Sequence, residues 1–505
     1  MSAGVRVRIA PSPTGFLHLG TARTAIYNWL FARKHDGVFI LRIEDTDLQR
    51  SSQAMVEGII EGLKFLKIHA DEGPFFQSSF IEEHLAAARR LVDEGKAYYD
   101  FTPREAAPDA ASDHLTTKER VASRAKAEAG KRRNPYRDLA ADEASRRLAA
   151  GERAAIRLKV PEEGVSAFED MVYGRQERSY SEIEDLVLVR SDGNPLYNLS
   201  VVVDDIQMRI SHVIRGQDHL TNTHKQILIY QALGAPIPRF GHLPLIFAPG
   251  KEKLSKRKHG EVVSIATYRE RGFIPDALVN FLALLGWSPG NDQEILSRAE
   301  MIEQFSLEAV NKSSAIFNFT EDEGGEWTDP KALWMNGEYI RAMPIESLVP
   351  MTRRFLERAG LWRHEYGAER HEWYANTIDL LRARYRTLAD FAELGRPYFS
   401  DDFPIDPASV KKNLSAEGLG ALLTGLAGSL GEVRHFSHDA VEAALRAYAT
   451  EAGVKAGLLI NASRTALTGQ SVGPGMFDIF ATLGRERSVE RLHRAARLAE
   501  LERGK

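Results

Sequence analysis

The chain has 505 residues, with 66 Lys and Arg against 70 Asp and Glu, a net charge of -4 and no cysteine. That length exceeds what one hydrophobic core holds, so several domains are expected, and the missing thiols exclude disulfides, cysteine-ligated metal and thiolate nucleophiles. No apolar run approaches the roughly 20 residues that span a bilayer, and the N-terminus lacks a signal-peptide core, so a cytoplasmic protein without a membrane partner is expected.

The first predicted element is a strand. Val5, Val7 and Ile9 alternate with Arg6 and Arg8, and Pro11, Pro13 and Gly15 then end it. Ala22, Ala25, Ile26, Trp29 and Leu30 follow at helical spacing. That puts His18 and the Gly20 amide at or just before a helix N-terminus, a place that attracts anions. Taken alone, His18-Leu19-Gly20 fits an ordinary strand-to-helix loop with a buried histidine. A short apolar strand, Val38 to Leu41, leads into Arg42-Ile43-Glu44-Asp45-Thr46-Asp47. From Lys118 to Arg137, eight Lys or Arg stand against Glu119 and Glu128. Such a run is either a solvated helix or a phosphate-contacting face, and with an acidic net charge any nucleic-acid surface has to be concentrated on one side.

Strand and helix alternate around Val5, Val38 and Val201, which points to a parallel sheet, although no Gly-x-Gly-x-x-Gly fingerprint is present. Asp204-Asp205, read as following a strand, fits a turn or helix cap better than a metal or acid-base pair. Arg215 comes after Val213 and Ile214, also read as strand. Lys253-Leu254-Ser255-Lys256-Arg257-Lys258 follows the turn-forming Phe247-Ala248-Pro249-Gly250, and by itself such a run is more often a solvated basic patch than a catalytic loop. Thr320 to Asp329 is acidic and loop-like. Beyond it, apolar residues recur at helical spacing, as in Val441, Ala444, Leu445 and Tyr448, with Gly473-Pro474-Gly475 as one of the breaks. His435 and His438 have no third histidine nearby and read as solvated.

The two basic or helix-terminal motifs together, His18-Leu19-Gly20-Thr21 and Lys253-Leu254-Ser255-Lys256, resemble the paired signatures of class I aminoacyl-tRNA synthetases. Thr21 and Leu254 stand where the class pattern has His and Met, and both variants are usual in glutamyl-tRNA synthetases. Further blocks resemble the bacterial members of that family: the Arg42 to Asp47 segment, Ile156-Arg157-Leu158-Lys159-Val160-Pro161, Arg190 to Tyr197, Val203-Asp204-Asp205, Arg215-Gly216-Gln217-Asp218-His219-Leu220 and Trp334 to Arg341. Small nucleotidyltransferases share the His-x-Gly signature but are short, and tRNA-modifying paralogues usually end near the second signature. A non-catalytic descendant would have lost His18, Lys253 or Lys256.

The resemblance implies an α/β chain. A Rossmann-like class I catalytic domain would occupy 1–85 and 196–240, interrupted by an acceptor-end-binding insertion at 86–195. A stem-contact region carrying the lysine loop would occupy 241–342, and an all-helical anticodon-binding region 343–505. It implies ATP-dependent attachment of L-glutamate to glutamate tRNA through an adenylate, with Mg²⁺ accompanying ATP; a relaxed enzyme that also glutamylates glutamine tRNA is the alternative. By resemblance, His18, Lys253, Ser255 and Lys256 are catalytic, and His18, Gly20 and Lys256 hold ATP. Arg8, Ser12, Glu44, Tyr197 and Arg215 hold glutamate, while Arg384 and Arg464 contact tRNA. An arginine fork suits the side-chain carboxylate because it binds bidentately and keeps its proton. Val201 stands where some relatives place an Asn on the substrate. Many relatives carry cysteines, some with zinc, where this chain has Ala97-Tyr98-Tyr99-Asp100-Phe101-Thr102-Pro103, so no zinc is expected. A monomer is expected.

Overall fold

The computed structural model describes residues 4–13, 15–46, 52–103, 134–250, 252–254, 256–319 and 327–503. Most of the basic run from Lys118 to Arg137, Ser255, and residues 320–326 of the acidic segment lie outside the described residues. The chain divides into two compact units, Met1–Ala266 with Leu282–Phe317, and Thr267–Phe281 with Asn318–Lys505.

The first unit is built on parallel strands. β1 (Arg6–Ile9) pairs with β2 (Val38–Ile43), which pairs with β3 (Glu72–Phe76), all parallel. β2 is buried at all but its first residue, as a strand covered on both faces must be. The helix Leu19–Lys34 joins β1 to β2 and is buried on all sides from Ala25 through Ala32; its amide side chain there, Asn28, donates to the Thr24 and Ile214 carbonyls at 2.9 and 3.0 Å, as a buried amide must.

A second sheet runs in the order β7-β6-β10-β9, from Gly174–Ser179, Val165–Asp170, Arg239–Leu243 and His212–Gly216. β9 and β10 are parallel, while β6 and β7 form an antiparallel pair. The two sheets meet between β1 and β9, where Ser211 N–H donates to the Arg6 carbonyl at 3.0 Å and Arg6 N–H to Ser211 Oγ at 2.7 Å. From β1 the chain adds strands outward on one side (β2, β3) and from β9 on the other (β10), so the order of addition reverses at this junction, the place where open α/β sheets leave a crevice at the carboxyl ends of their strands. A separate antiparallel sheet is made by β4 (Ala97–Asp100), β5 (Ala155–Leu158) and β8 (Leu186–Val189).

One expected strand is a helix. Val201, Val202 and Val203 lie within Tyr197–Gln207, all buried. Three successive β-branched residues cost a helix a few tenths of a kcal/mol each, whereas burying each side chain returns about 1.5–3 kcal/mol. They pack in a core shared with Ile40, Leu91, Ile227 and Tyr230, so burial decides and local preference does not. The sheet strand is supplied instead by His212–Gly216, and Arg215 lies within it rather than after it. Asp204 and Asp205 are likewise neither turn nor cap: both sit inside the same helix, buried.

The second unit is helical, with one core that contains Leu348, Tyr374, Leu423, Val441, Leu445, Leu467 and Leu492. Val441 and Leu445 are fully buried in His438–Glu451, and Ala444 and Tyr448 pack against that core. Gly473-Pro474-Gly475 separates Ala456–Thr468 from Met476–Leu483. The described end of the acidic segment is structural: Asp329 caps Pro330–Ala342 by accepting from Lys331 N–H at 2.9 Å, and its other oxygen accepts from Asn318 N–H at 2.8 Å. No described helix is long and apolar enough to cross a membrane.

Candidate active site

A cavity of about 640 Å³ opens in the first unit at the carboxyl ends of β1 and β9. Arg8, Ser12, His18, Gly20, Glu44, Tyr197, Arg215 and Lys253 all line it, so one space gathers most of the residues singled out in sequence. Ser12 is exposed there. Val201 is buried in the core and is not among the lining residues.

Arg8 and Glu44 of the cavity lining belong to a buried ion-pair network. Arg8 Nε and Nη2 donate to the two oxygens of Asp205 at 3.1 and 3.3 Å, and Arg42 Nη1 donates to Asp205 Oδ1 at 2.6 Å. Asp204 takes His84 Nε2 and Gln77 Nε2, each at 2.6 Å, and lies 3.6 Å from Arg42 Nε. Burial works to lower the pKa of Arg42, but Asp205, Glu44 and Asp204 outweigh it and push it up. Burial works to raise the Asp205 pKa, and Arg8 and Arg42 hold it below the ordinary carboxylate value. Glu44, 3.5 Å from Arg42, is raised because burial outweighs the attraction of Arg42 and Arg8. Charges this deep persist only when paired, and the aspartates meet that need for Arg8 and Arg42.

Arg215 differs. It is 6% exposed. Its Nη2 donates to Thr223 Oγ1 and Gln226 Oε1, both at 2.7 Å, and its Nε donates to His242 Nε2 at 3.3 Å. All three partners are uncharged when His242 is neutral. Nη1 is buried with no hydrogen-bond partner, and no carboxylate forms an ion pair with this guanidinium among the described residues. Arg23, another buried guanidinium on the cavity wall, ends instead on the carbonyls of Leu285 and Pro244. Tyr197 opens its helix beside Arg215 with its hydroxyl 3.2 Å from His219 Nδ1. Burial and Glu44 raise the tyrosine pKa, while burial and Arg215 lower that of His219 to about 4, so both are neutral at pH 7.

The opposite wall carries the signature motifs. His18 is the N-cap of Leu19–Lys34: its Nδ1 accepts from Thr21 N–H at 3.3 Å, and its Nε2 lies 2.9 Å from Thr21 Oγ1. This pattern puts the proton on Nε2. The ring is open to solvent at the cavity mouth yet crowded by protein, and that crowding, with Lys253, pushes its pKa below 6.5 against the pull of Asp218. A Cβ at Gly20 would stand 3.3 Å from two atoms of this ring, so glycine leaves the imidazole its place. Phe247 bridges Lys253, and Leu254 N–H donates to the Ile246 carbonyl at 3.0 Å, closing a tight turn through Gly250 at φ +86°. The turn brings Lys253 Nζ to 3.0 Å from Asp218. Lys256 begins the short helix Lys256–His259, but its side chain, like Ser255, lies outside what the structure describes.

In the second unit Arg384 is exposed just past the C-terminus of His371–Arg382. Arg464 projects from Ala456–Thr468, donating through Nη1 to the Pro474 carbonyl at 2.5 Å. Burial and then Arg384 lower the pKa of Arg464, so the two guanidinium groups lie within electrostatic reach of each other. In the Ala97–Pro103 segment the Asp100 carboxylate accepts from Thr102 N–H at 3.0 Å, Thr102 Oγ1 at 2.6 Å and Arg157 Nε at 2.6 Å. A carboxylate so committed does not suit a tetrahedral zinc site.

Sequence reasoning missed several site residues. Arg42, Asp218 and His219 lie within motifs already noted, whereas Asp170, Thr223, Gln226 and His242 carried no local signal. A shared position in the fold brings them in.

The catalytic-domain model of class I tRNA synthetases (E and Q) matches residues 4–321, and an anticodon binding domain model matches 347–496. A glutamate-tRNA ligase of Desulfotalea psychrophila is 48% identical over 98% of this chain and 99% of its own length. Glutamate-tRNA ligase 2 of Koribacter versatilis is 44% identical over 98% of each. The crystal structure of a glutamate tRNA ligase from Elizabethkingia meningosepticum, in complex with its amino acid, matches with a TM-score of 0.81 at 31% identity, covering 98% of this chain and 99% of that one. With a catalytic-domain match over more than half its length and a relative 48% identical from end to end, the chain belongs to the glutamate-tRNA ligases, class I tRNA synthetases.

Proposed function

We propose that the chain activates L-glutamate with ATP and transfers it to the 3′ end of glutamate tRNA in the cavity between β1 and β9. The observation that carries the substrate assignment is Arg215, a buried guanidinium whose Nη1 has no hydrogen-bond partner and which forms no ion pair with a carboxylate among the described residues. An uncompensated buried cation is costly, and the side-chain carboxylate of glutamate supplies the missing anion. Glutamine's neutral amide leaves it unmet. Arg8, Ser12 and Tyr197 complete the acid's surroundings, and Glu44, set in the arginine network, takes its ammonium.

In the first step a glutamate α-carboxylate oxygen bonds to the α-phosphorus of ATP and pyrophosphate leaves. In the second, a ribose hydroxyl of the terminal adenosine bonds to the anhydride carbonyl carbon and AMP leaves. Positioning and charge neutralisation dominate the first. His18 donates from its neutral imidazole as charge moves onto pyrophosphate, beside the amides of a helix N-terminus. Lys253, Ser255 and Lys256 close on the phosphates, and Mg²⁺ enters with ATP, bound chiefly by phosphate oxygens. No zinc is proposed. The test is charging of purified glutamate and glutamine tRNAs with labelled glutamate. Charging of glutamate tRNA alone is expected; equal charging of both identifies a relaxed enzyme, and charging of neither overturns the reading.

The segment 86–195 serves the acceptor end and the helical unit the anticodon, in a monomer acting in the cytoplasm. Arg384 reads the third anticodon base, C in glutamate tRNA and G in glutamine tRNA, through donors facing pyrimidine acceptors, with Arg464 alongside. The Arg384→Gln variant is expected to lose about 1–3 kcal/mol of discrimination, the worth of one good base contact. The ratio of kcat/KM for the two tRNAs at fixed salt measures it. Equal weakening of both tRNAs marks a phosphate contact instead.

A further inference from the structure

We propose that Asp170 and His242 are positioning residues for the Arg215 guanidinium, fixing its plane so that its partnerless edge meets the substrate carboxylate. The inference rests on Arg215 as the glutamate-binding arginine.

His242 lies on β10, next to Arg215 on β9, and is fully buried. Its Nδ1 is 2.6 Å from Asp170 Oδ2. The Asp170 carboxylate is itself held by the backbone N–H groups of Val172 at 3.0 Å, Tyr173 at 2.9 Å and His242 at 3.2 Å. A carboxylate so fixed accepts a proton-bearing Nδ1, which leaves Nε2 as a lone pair. That lone pair faces Arg215 Nε at 3.3 Å and Thr223 Oγ1 at 3.0 Å. Thr223 in turn accepts from Arg215 Nη2. The imidazole plane is set by its neighbours as well: the Phe240 ring stacks on it at 6.3 Å between centroids, tilted by 14°, and Phe168 packs at the same distance.

A carboxylate directly on Arg215 would neutralise it and compete with the substrate. Here the negative charge stands one imidazole away: Asp170 orients the histidine and the histidine presents only a lone pair to Arg215. The guanidinium thus gains direction from Nε and Nη2 while Nη1 stays unpaired among the described residues. The other tautomer, or a protonated ring, puts an N–H against Arg215 Nε and removes this constraint.

The test compares His242→Leu, Asp170→Asn and His242→Gln in ATP-pyrophosphate exchange with tRNA present. His242→Leu and Asp170→Asn are expected to raise the glutamate KM about tenfold or more, the scale of one hydrogen bond to a charged group, with kcat and the ATP KM changed far less. Preference for glutamate over glutamine should fall in parallel. His242→Gln offers an amide oxygen to Arg215 and an amide N–H to Asp170, so it should recover most of the glutamate KM. In an Arg215→Met background His242→Leu should add nothing further. Wild-type glutamate KM in both His242→Leu and Asp170→Asn overturns the proposal, as does a glutamine variant no better than leucine despite equal thermal stability. Should His242→Leu not fold, Asp170→Asn, of the same size, decides. If Arg215→Met itself keeps a wild-type glutamate KM, the assignment of Arg215 fails; if Arg215→Met is impaired and the other variants are not, only the positioning role fails.

Discussion

Substituting His18 or Lys256 by alanine is expected to slow glutamyl-adenylate formation by ~10²-fold or more, the scale for losing one preorganised donor to a transition-state charge. For His18 the structure separates chemistry from folding. The ring caps Leu19–Lys34 by accepting from Thr21 N–H, so alanine also removes a cap worth about 1 kcal/mol. Asparagine caps at least as well but does not carry the imidazole N–H out to the nucleotide. The His18→Asn variant should therefore keep the wild-type melting temperature and show the same loss of rate in ATP-pyrophosphate exchange. Gly20→Ala should give a smaller loss, because its Cβ meets the His18 ring at 3.3 Å and pushes it off position. Lys253 begins in an exposed pair with Asp218, worth at most about 1 kcal/mol, which is a small cost for moving to phosphate. Wild-type exchange rates in both His18→Asn and Lys256→Ala would remove these residues from the chemistry.

The parts of the fold visible in sequence are those with local causes. Alternation ended by Pro11, Pro13 and Gly15 located β1, and the 3.6-residue spacing after His18 located its helix. Val441 and Leu445 located a buried helix face in the second unit. Val201 to Val203 misled because β-branched residues prefer strands by a margin far smaller than the burial that made them helical. The alternation located the strand but carried no sign of Arg8's partner: Arg8 is buried, and Asp205, 197 residues away, meets it across the sheet junction. His242 and Asp170 lie 72 residues apart, and neither stands in a motif. Their relation exists only once β6, β10 and β9 are laid side by side.

Arg215→Met and Arg42→Met are expected to have opposite consequences, although both remove a buried guanidinium. Arg42 is matched by Asp204, Asp205 and Glu44. Removing it leaves Asp204 with only His84 and Gln77 and Asp205 with Arg8 alone, and breaking a buried pair in this way costs about 3–5 kcal/mol of stability. Thermal or denaturant unfolding should show that loss directly. Arg215 has no ion-paired carboxylate to abandon among the described residues. Its removal takes hydrogen bonds from Thr223, Gln226 and His242, and it also relieves the burial of a charge that burial already pushes below its usual pKa. These effects oppose one another, so the melting temperature of Arg215→Met should stay near wild type. Activity should not. Truncating one side of a buried, hydrogen-bonded charge pair costs about 2–5 kcal/mol, roughly 30- to several-thousand-fold in kcat/KM for glutamate. The loss should fall on glutamate alone, leaving the ATP KM near its wild-type value. A buried cation kept at the expense of stability is what a binding site for an anion requires. If Arg215→Met instead unfolds the protein as severely as Arg42→Met while keeping wild-type glutamate kinetics in the folded fraction, Arg215 is a structural residue and the substrate carboxylate binds elsewhere.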